Sequence, residues 1–323
     1  RQVQCIAHQI PGLLRRGGTY RGNGCKLVGT GETDEERASA THGKAGDEDL
    51  KELGRYGADR IVSLVSSNLE VMDNRAHSKA IADLAIKEGS KVIIFSNNMT
   101  GKALAPRVSV RLKAGIGSGV SKLPLSTEPF TVYKRAYSGN AFADVVIRSE
   151  IKILTLAQNS YEITERPTGA IPETAEAEID QSLVSTTVTE TQKQTGKMLL
   201  SDASVVVSGG RGMKSPDNWG PLVELASLLN GATACSRPVS DEGWRPHEEH
   251  TGQTGKIIAP DLYLAVGISG ATQHLAGVSS SKYIVAINSD KDAPIFESAQ
   301  YGVVGDALKV LPKLVDAVKN LKK

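Results

Sequence analysis

The chain has 323 residues, with 38 basic and 36 acidic side chains, a net charge of +2 and 32 glycines. This length predicts about two domains. The balanced charge excludes the basic footprint of a protein that binds nucleic acid or an acidic membrane surface. Three cysteines without a CxxC pair argue against a disulfide framework, an iron–sulfur cluster and a structural zinc site. Every apolar run is far shorter than the roughly 20 residues of a membrane-spanning helix, so no membrane span is expected.

Residues 1–45 have an uncertain assignment. The first residue is Arg rather than Met, so we expect that a preceding part has been removed or lies outside this sequence. The segment carries Arg15, Arg16 and Arg21 among glycines, with little apolar periodicity. Two interpretations stay open: the remnant of an organelle-targeting segment, which is typically rich in arginine, and an irregular start of the first domain.

From residue 60 onward, short apolar strands alternate with helices. Strands are expected at 60–66 and 91–96, and helices at 77–88 and near 102–113. This alternation predicts βαβ units and a parallel sheet.

Between residues 131 and 156, strands follow one another without helices, which predicts an antiparallel extension of the same sheet. Residues 160–194 are acidic, rich in Ser and Thr and weakly periodic, so we interpret them as an interdomain crossing. The boundary is expected near Thr195. An N-terminal α/β domain would then cover 1–194 and a second domain 195–323.

The second domain repeats the strand–helix rhythm. Strands are expected at 204–210, 261–268 and 282–289, with helices at 221–229 and after Gly270. A last helix is expected to begin at Pro312, because proline is tolerated at the first helical position.

The strand at 261–268 leads into a glycine-containing turn. Ser269 and Gly270 open the following helix, so free backbone N–H groups and the positive end of the helix dipole would face a bound pyrophosphate. Together with polar residues in neighbouring loops, this layout predicts a dinucleotide pocket with side chains aimed at a redox ring.

Three polar residues of these loops have competing interpretations. Arg211 lies in SGGRG after a strand, where it could neutralise phosphate or belong to a tight turn. Arg237 could sit at the mouth of the sheet or form an ordinary exposed salt bridge. Thr254, in the glycine-flanked TGQTG loop, could bond a ring nitrogen or form a simple Ser/Thr turn.

Histidine, cysteine and strand-end residues also have competing interpretations. A lone histidine such as His274 is more often structural than functional. The HEEH segment at 247–250 lacks HExxH spacing, so no metal site is expected. Cys235 has no evident partner base and is expected to be a buried small residue. Asn288 and Asp306 follow strands, where they could contact a ligand or simply form turns.

Five motifs occur in one order along the second half of the chain: SGGRG (208–212), SRPVSDEGW (236–244), TGQTGK (251–256), GISGATQHLAG (267–277) and AIN…APIF (286–296). With a match extending back to 47–123, the chain resembles the alpha subunit of electron transfer flavoprotein. Each motif alone would be weak, but their order is specific. The resemblance implies two domains, the second a Rossmann-like FAD-binding domain at 195–323.

The resemblance also assigns FAD contacts residue by residue. It implies that Arg237 lies against the flavin ring, with Ser236 as a hydrogen-bonding neighbour. It places Thr254 beside the redox-active nitrogen and His274 at a pyrimidine-side carbonyl. The other implied contacts are Arg211, Thr251, Gly252, Gln253, Ser269, Gly270, Ala271, Thr272, Gln273, Asn288 and Asp306. Of these, Asn288 and Asp306 would contact the adenosine half of FAD. Gln253 and Gln273 could also be ordinary surface residues.

The function implied by the resemblance is electron transport in fatty acid beta-oxidation. The chain would collect electrons from acyl-CoA and related dehydrogenases and pass them to a quinone oxidoreductase. It would act as a heterodimer with a beta subunit, which could hold AMP or a second FAD, and would not turn over a substrate by itself. It would be cytoplasmic in a bacterium or located in the mitochondrial matrix. From the residues alone, an NAD- or FAD-dependent oxidoreductase and a structural nucleotide-binding module stay open.

Overall fold

The computed structural model describes residues 3–8, 25–30, 47–139, 141–161, 164–190 and 198–322. The chain divides into two compact units: residues 1–136 with 141–195, and residues 137–140 with 196–323. Both units combine helices with predominantly parallel strands, which confirms the predicted α/β class. Among the described residues, no helix is long and apolar enough to cross a membrane.

The described part of the first unit contains one mixed sheet and three helices. Its strands are β1 (Val3–His8), β2 (Cys25–Thr30), β3 (Arg60–Val65), β4 (Val92–Ser96), β5 (Gly115–Val120), β6 (Ser126–Thr127), β7 (Phe130–Ala136), β8 (Ala141–Ile147), β9 (Lys152–Leu156) and β10 (Pro172–Glu176). Its helices are α1 (Asp47–Leu53), α2 (Asn74–Lys87) and α3 (Met99–Leu112). The strand order is β10-β3-β2-β1-β4-β9-β5-β7-β6, with β8 paired to β7.

Helices α2 and α3 each begin three residues earlier than the apolar pattern predicts, because side chains cap them. Asp73 accepts from the backbone N–H groups of the first turn of α2. Asn98 accepts from Gly101 N at the start of α3. Caps of this kind satisfy N–H groups that have no intrahelical partner, and apolar periodicity does not detect them.

Two predictions for the first unit were wrong. Strand β9 is not part of the antiparallel extension: it pairs in parallel with both β4 and β5. Its buried residues Ile153, Leu154 and Thr155 form the continuous run that is typical of an interior parallel strand. Residues 160–194 are not merely a crossing, since β10 pairs in parallel with β3 at the edge of the sheet. Long-range pairing of this kind leaves little trace in local periodicity.

In the N-terminal segment, the structure contains β1 and a second strand, β2, that the sequence did not indicate. The two strands pair in parallel, and β2 also pairs with β3. Arg15, Arg16 and Arg21 lie outside the described residues, as does Thr195 at the expected boundary.

The second unit contains an all-parallel sheet covered by helices. Its strands are β11 (Val205–Gly209), β12 (Ala232–Cys235), β13 (Leu262–Val266), β14 (Tyr283–Asn288) and β15 (Tyr301–Val304). Its helices are α4 (Gly220–Leu228), α5 (Arg237–Asp241), α6 (Thr272–Val278), α7 (Ile295–Ser298) and α8 (Ala307–Leu321). The strand order is β12-β11-β13-β14-β15. The order reverses between β11 and β13, and sheets of this kind bind ligands at such a switch point.

The two faces of this sheet bury separate apolar clusters. One face places Tyr263 and Ile284 against Val278 of α6. The other packs Leu264 and Val266 of β13 against residues of α4 and α8. Both faces are therefore covered by apolar packing. A polar site can then form at the carboxyl ends of the strands.

Helix α8 begins at Ala307, so the prediction of a start at Pro312 was wrong. Asp306 caps the helix by accepting from Leu308 N at 3.0 Å. Pro312 lies inside the helix and cannot donate to the carbonyl of Leu308. Leu311 and Val315 on either side of the proline are buried in the core, and this packing holds the helix across the missing hydrogen bond.

Asp73 connects α2 to the segment that follows β10. One of its carboxylate oxygens accepts from Arg75 N and Ala76 N at 2.8 and 3.0 Å. The other accepts from Ser185 N at 2.8 Å and from Ser185 Oγ at 2.9 Å. Burial favours the neutral acid, but the hydrogen bonds from Ala76, Ser185 and Arg75 outweigh it and hold the pKa of Asp73 far below its usual range.

We expect Asp73→Ala to lower the free energy of unfolding by about 2 kcal/mol at neutral pH, since it removes a helix cap and a buried acceptor. The pKa of Asp73 is lower in the folded protein than in the unfolded chain, where it is about 3.9, so the ionised carboxylate makes its full contribution to stability above pH 3.9. The difference from the wild type should therefore shrink as the pH falls through about 4. Urea unfolding across this range measures it.

Asp83→Ala is the matched control, because Asp83 is an exposed carboxylate on α2 that pairs with Lys79 one turn away. Its effect should stay below about 0.5 kcal/mol. Equal losses in the two variants would contradict the role assigned to Asp73.

Candidate functional site

Two glycine loops meet at the switch point of the second sheet. Gly210 N donates to Val266 O at 2.9 Å, and Gly212 N donates to Gly267 O at 3.0 Å. A Cβ atom on Gly212 would lie only 2.6 Å from the Cα of Gly267. The loops that follow β11 and β13 are therefore in direct backbone contact, which only glycine allows at these positions.

The turn between β13 and α6 is held from two other elements. Ile295 N of α7 donates to Ser269 O at 3.0 Å, and Asn288 Nδ2 donates to Ile268 O at 2.8 Å. Gly270 has φ +85°, and a Cβ there would lie 2.3 Å from Ile295 N. Asn288, predicted as a ligand contact or a turn former, thus braces this turn. The side chains of Ser269, Ala271, Thr272 and Gln273 are exposed around it.

Arg237 and Thr254, singled out separately in the sequence, are hydrogen-bonded to each other. Arg237 is the first residue of α5, and its Nη1 donates to Thr254 Oγ1 at 3.2 Å. Its Nε donates to Asp241 Oδ2 at 3.2 Å, and 61% of the side chain is exposed. Asp241 was not predicted as a site residue, although its spacing of four from Arg237 on a helix is a signal for such a pair.

Ser236 and Thr251 are fixed through their main chains. Ser236 is buried, and its N donates to Gly209 O at 3.0 Å, next to the glycine loop after β11. Thr251 N donates to Cys235 O at 3.0 Å. These bonds place the start of α5 and the TGQTG loop beside the carboxyl ends of β11 and β12.

The TGQTG loop also packs against α6. Gln253 N donates to Gln273 O at 2.7 Å. A Cβ on Gly277 would lie 2.5 Å from the Cα of Gly252, so both glycines permit close approach. The loop, α5 and α6 therefore form one connected group around the end of β13.

His274 is buried in this group, with 7% of its surface exposed. Its Nε2 lies 2.8 Å from the hydroxyl of Tyr263, while Nδ1 makes no hydrogen bond of normal geometry with a described residue. Burial lowers the pKa of His274 to about 4, although the main chain of Thr251 opposes the shift. The imidazole is thus neutral at pH 7, and a buried polar atom without a partner costs about 1–3 kcal/mol. A polar ligand group at Nδ1 would remove that cost.

Arg211 and Asp306 lie at the same sheet edge. Arg211 is exposed within the first glycine loop, between Gly210 and Gly212. Asp306 accepts from Lys214 Nζ at 3.0 Å in addition to capping α8. The structure therefore gives Asp306 a structural role and adds Lys214 as a cation that sequence reasoning missed.

Cys235 is fully buried at the end of β12, as expected for a small packed residue. Burial, reinforced by Glu249, raises the pKa of its thiol to about 12. His247 Nδ1 bonds Ser240 Oγ at 2.8 Å. Across the part of the chain that the structure describes, no group of three or more His, Cys, Asp or Glu residues could hold a metal ion.

We expect Gly270→Ala to destabilise the protein by about 2–4 kcal/mol. The new methyl group would collide with the backbone of Ile295, and an alanine at this position would have to keep the left-handed backbone conformation of Gly270. Gly243→Ala is the matched control: Gly243 has φ +73° but open space around a Cβ. It should lose only about 1 kcal/mol. Urea unfolding of both variants measures the difference, and equal losses would show that the Ile295 contact does not restrict this turn.

Two family models match the chain. The one described as electron transfer flavoprotein FAD-binding domain matches residues 199–279. The one described as electron transfer flavoprotein domain matches residues 32–185. The first match covers the glycine loops, α5, the TGQTG loop and all of α6.

Known proteins match over most of their length. A protein of Bacillus subtilis (strain 168) named electron transfer flavoprotein subunit alpha is 35% identical over 272 residues, 84% of each chain. One of the same name from Syntrophomonas wolfei is 34% identical over 287 residues, 88% of this chain and 90% of the relative. Protein FixB of Clostridium saccharobutylicum is 33% identical over 279 residues, 85% of this chain and 84% of the relative.

Proposed function

Since this chain belongs to the family of electron transfer flavoprotein alpha subunits and its cofactor is FAD, we propose that the group of residues around the end of β13 forms the FAD site. Nδ1 of His274 carries this proposal: it is buried at a ligand-binding edge and makes no hydrogen bond of normal geometry with a described residue, so a polar group of a bound ligand would supply its partner. The glycine loops fit it as well, since they leave the backbone accessible without side chains. The all-parallel sheet supports describing residues 195–323 as a Rossmann-like FAD-binding domain, with residues 1–194 as the other domain.

Arg237 supplies a fixed positive charge to the proposed site. When bound, FAD supplies the redox chemistry by accepting and releasing electrons at its ring. A cation held near the ring stabilises negative charge that accumulates on reduction. Asp241 partly offsets this charge, because its carboxylate accepts from the guanidinium.

Thr254 and His274 are suited to donate hydrogen bonds to the flavin. Because Thr254 Oγ1 already accepts from Arg237, its own O–H is left to donate to a ring nitrogen. His274 stays neutral and contributes a nitrogen rather than a charge. Ser236 lies beside this pair, and Arg211 would contact the phosphates, where a planar guanidinium can bind in bidentate fashion.

The remaining assigned contacts are backbone and loop positions around the same edge. Gln253, Ser269, Ala271, Thr272 and Gln273 are exposed there. Thr251, Gly252 and Gly270 shape the loops. Asn288 and Asp306 would reach the adenosine half while keeping their structural bonds.

The chain is proposed to work as an electron carrier rather than as an enzyme with its own substrate. It would pair with a beta subunit, accept electrons from acyl-CoA and related dehydrogenases, and pass them to a quinone oxidoreductase. The exposure of Arg237, Gln253 and Thr254 supports a second chain closing the site. The compartment would be the bacterial cytoplasm or the mitochondrial matrix.

We expect the isolated chain to hold FAD weakly, because contacts supplied by a second subunit would be missing and the dissociation constant rises with each lost contact. Flavin fluorescence on serial dilution, with and without the beta subunit, measures this. Full retention of FAD by the dilute isolated chain would contradict the shared site.

Arg237→Ala should lower the reduction potential of bound FAD, with an effect of about 1–3 kcal/mol for one charge at intermediate dielectric. Arg237→Lys should fall in between, since lysine keeps the charge but loses the planar group. Asp241→Asn should raise the potential, because it removes the opposing negative charge. Redox titration of each flavin-loaded variant measures the shifts.

Arg107→Ala is the charge-matched control, since Arg107 is an exposed arginine on α3 in the first unit. Its potential should equal that of the wild type. An unchanged potential in Arg237→Ala with FAD still bound would remove Arg237 from the flavin site.

A further inference from the structure

Tyr263 is a fully buried residue of β13 that contacts two assigned residues of the FAD site. Its hydroxyl oxygen lies 2.8 Å from His274 Nε2 and 3.5 Å from Thr251 Oγ1. The rings of Tyr263 and His274 are 6.0 Å apart at their centroids and tilted by 46°. In the sequence, Tyr263 belongs to the expected strand at 261–268 and carries no signal of a role in the site.

The hydrogen bond between Tyr263 and His274 has a preferred direction. Burial raises the pKa of Tyr263 well above its usual value, although the hydroxyls of Ser208 and Thr251 oppose the shift, so the phenol keeps its proton. Among the possible acceptors, Nε2 is at a normal bonding distance, whereas 3.5 Å to Thr251 Oγ1 is long for an O–H···O bond and Ser208 Oγ makes no hydrogen bond of normal geometry with a described residue. The reverse direction, with Nε2–H donating, would leave the phenol proton only these two poorly placed hydroxyl oxygens.

A neutral imidazole carries a single proton, and the nitrogen that accepts a hydrogen bond cannot be the one that bears it. If Nε2 accepts from Tyr263, the proton of His274 is on Nδ1. That atom is the buried one that makes no hydrogen bond of normal geometry with a described residue. The tyrosine therefore determines whether His274 presents a donor or an acceptor at the proposed site.

We propose that Tyr263 is a positioning residue for FAD binding: its hydroxyl holds the His274 imidazole with the proton on Nδ1, so that His274 donates to a pyrimidine-side carbonyl of the flavin. This inference rests on the proposed FAD site. A carbonyl oxygen only accepts hydrogen bonds, so the other tautomer would set two lone pairs against each other. The tyrosine thus selects the tautomer that the ligand needs, without touching the ligand itself.

Nitrogen-15 NMR of the histidine side chains in the wild-type protein tests the tautomer directly. The chain has six histidines, and the signals that disappear in His274→Gln identify His274. We expect a protonated Nδ1 at pH 7, before and after flavin removal. In Tyr263→Phe, which removes only the hydroxyl, the proton should distribute over both nitrogens. A protonated Nε2 in the wild type would overturn the inference, even if Tyr263→Phe does not fold.

The FAD dissociation constant gives a second readout. Tyr263→Phe should weaken binding about three- to tenfold, as for the loss of one neutral hydrogen bond. Tyr283→Phe is the matched control, because Tyr283 is a half-exposed tyrosine on the adjacent strand β14. Its affinity should equal that of the wild type.

An FAD analogue with sulfur in place of the pyrimidine carbonyl oxygens separates positioning from general stability, because sulfur is the weaker acceptor. The wild type should bind FAD more tightly than the analogue. The ratio of the dissociation constants of the analogue and FAD should fall towards one in Tyr263→Phe. An equal loss of affinity for FAD and the analogue would indicate a purely structural tyrosine and overturn the inference.

His274→Ala distinguishes failure of the site assignment from failure of the inference. Wild-type FAD affinity in His274→Ala would remove His274 from the site, and the positioning role with it. Reduced affinity in His274→Ala, with unchanged tautomer and affinity in Tyr263→Phe, would overturn the positioning role alone.

Discussion

The backbone contact between the two glycine loops is the constraint on which the second unit's site depends. Gly212 and Gly267 approach so closely that a single methyl group would separate the loops. This contact joins the ends of β11 and β13 at the point where the strand order reverses. Ser236 and Asn288 are hydrogen-bonded to residues at these loops, and the TGQTG loop is attached to the same edge through Cys235 and Gln273.

Burial divides the polar residues of this edge into two kinds. Arg237 is largely exposed, and its charge is balanced locally by Asp241. His274 and Tyr263 lie in the core, where desolvation keeps both neutral. Charge therefore stays at the rim while neutral hydrogen-bonding groups occupy the interior.

The first unit shows how much of a large sheet depends on distant pairing. Strand β9 is separated in sequence from β4, yet it pairs with it in parallel, and β10 returns to the edge of the sheet beside β3. Asp73 then secures the chain after β10 by binding Ser185, 112 residues away. The acidic composition and weak periodicity of 160–194 predicted an interdomain crossing. That interpretation was incomplete, because β3 and Asp73, which hold this segment, lie more than 100 residues away in sequence.

The sequence by itself determined the α/β class, the approximate strands of the second unit, the family and the positions of its glycine motifs, because these depend on local periodicity and on residue types at close spacing. The start of α8, the direction of β9 and the pairing of β10 were decided by tertiary packing, which overrides local signals such as Pro312. Only the fold brought Thr254 to Arg237 and Tyr263 to His274. A hydrogen bond between a buried strand residue and a neighbouring helix depends on distance and angle, and one-dimensional spacing does not encode either.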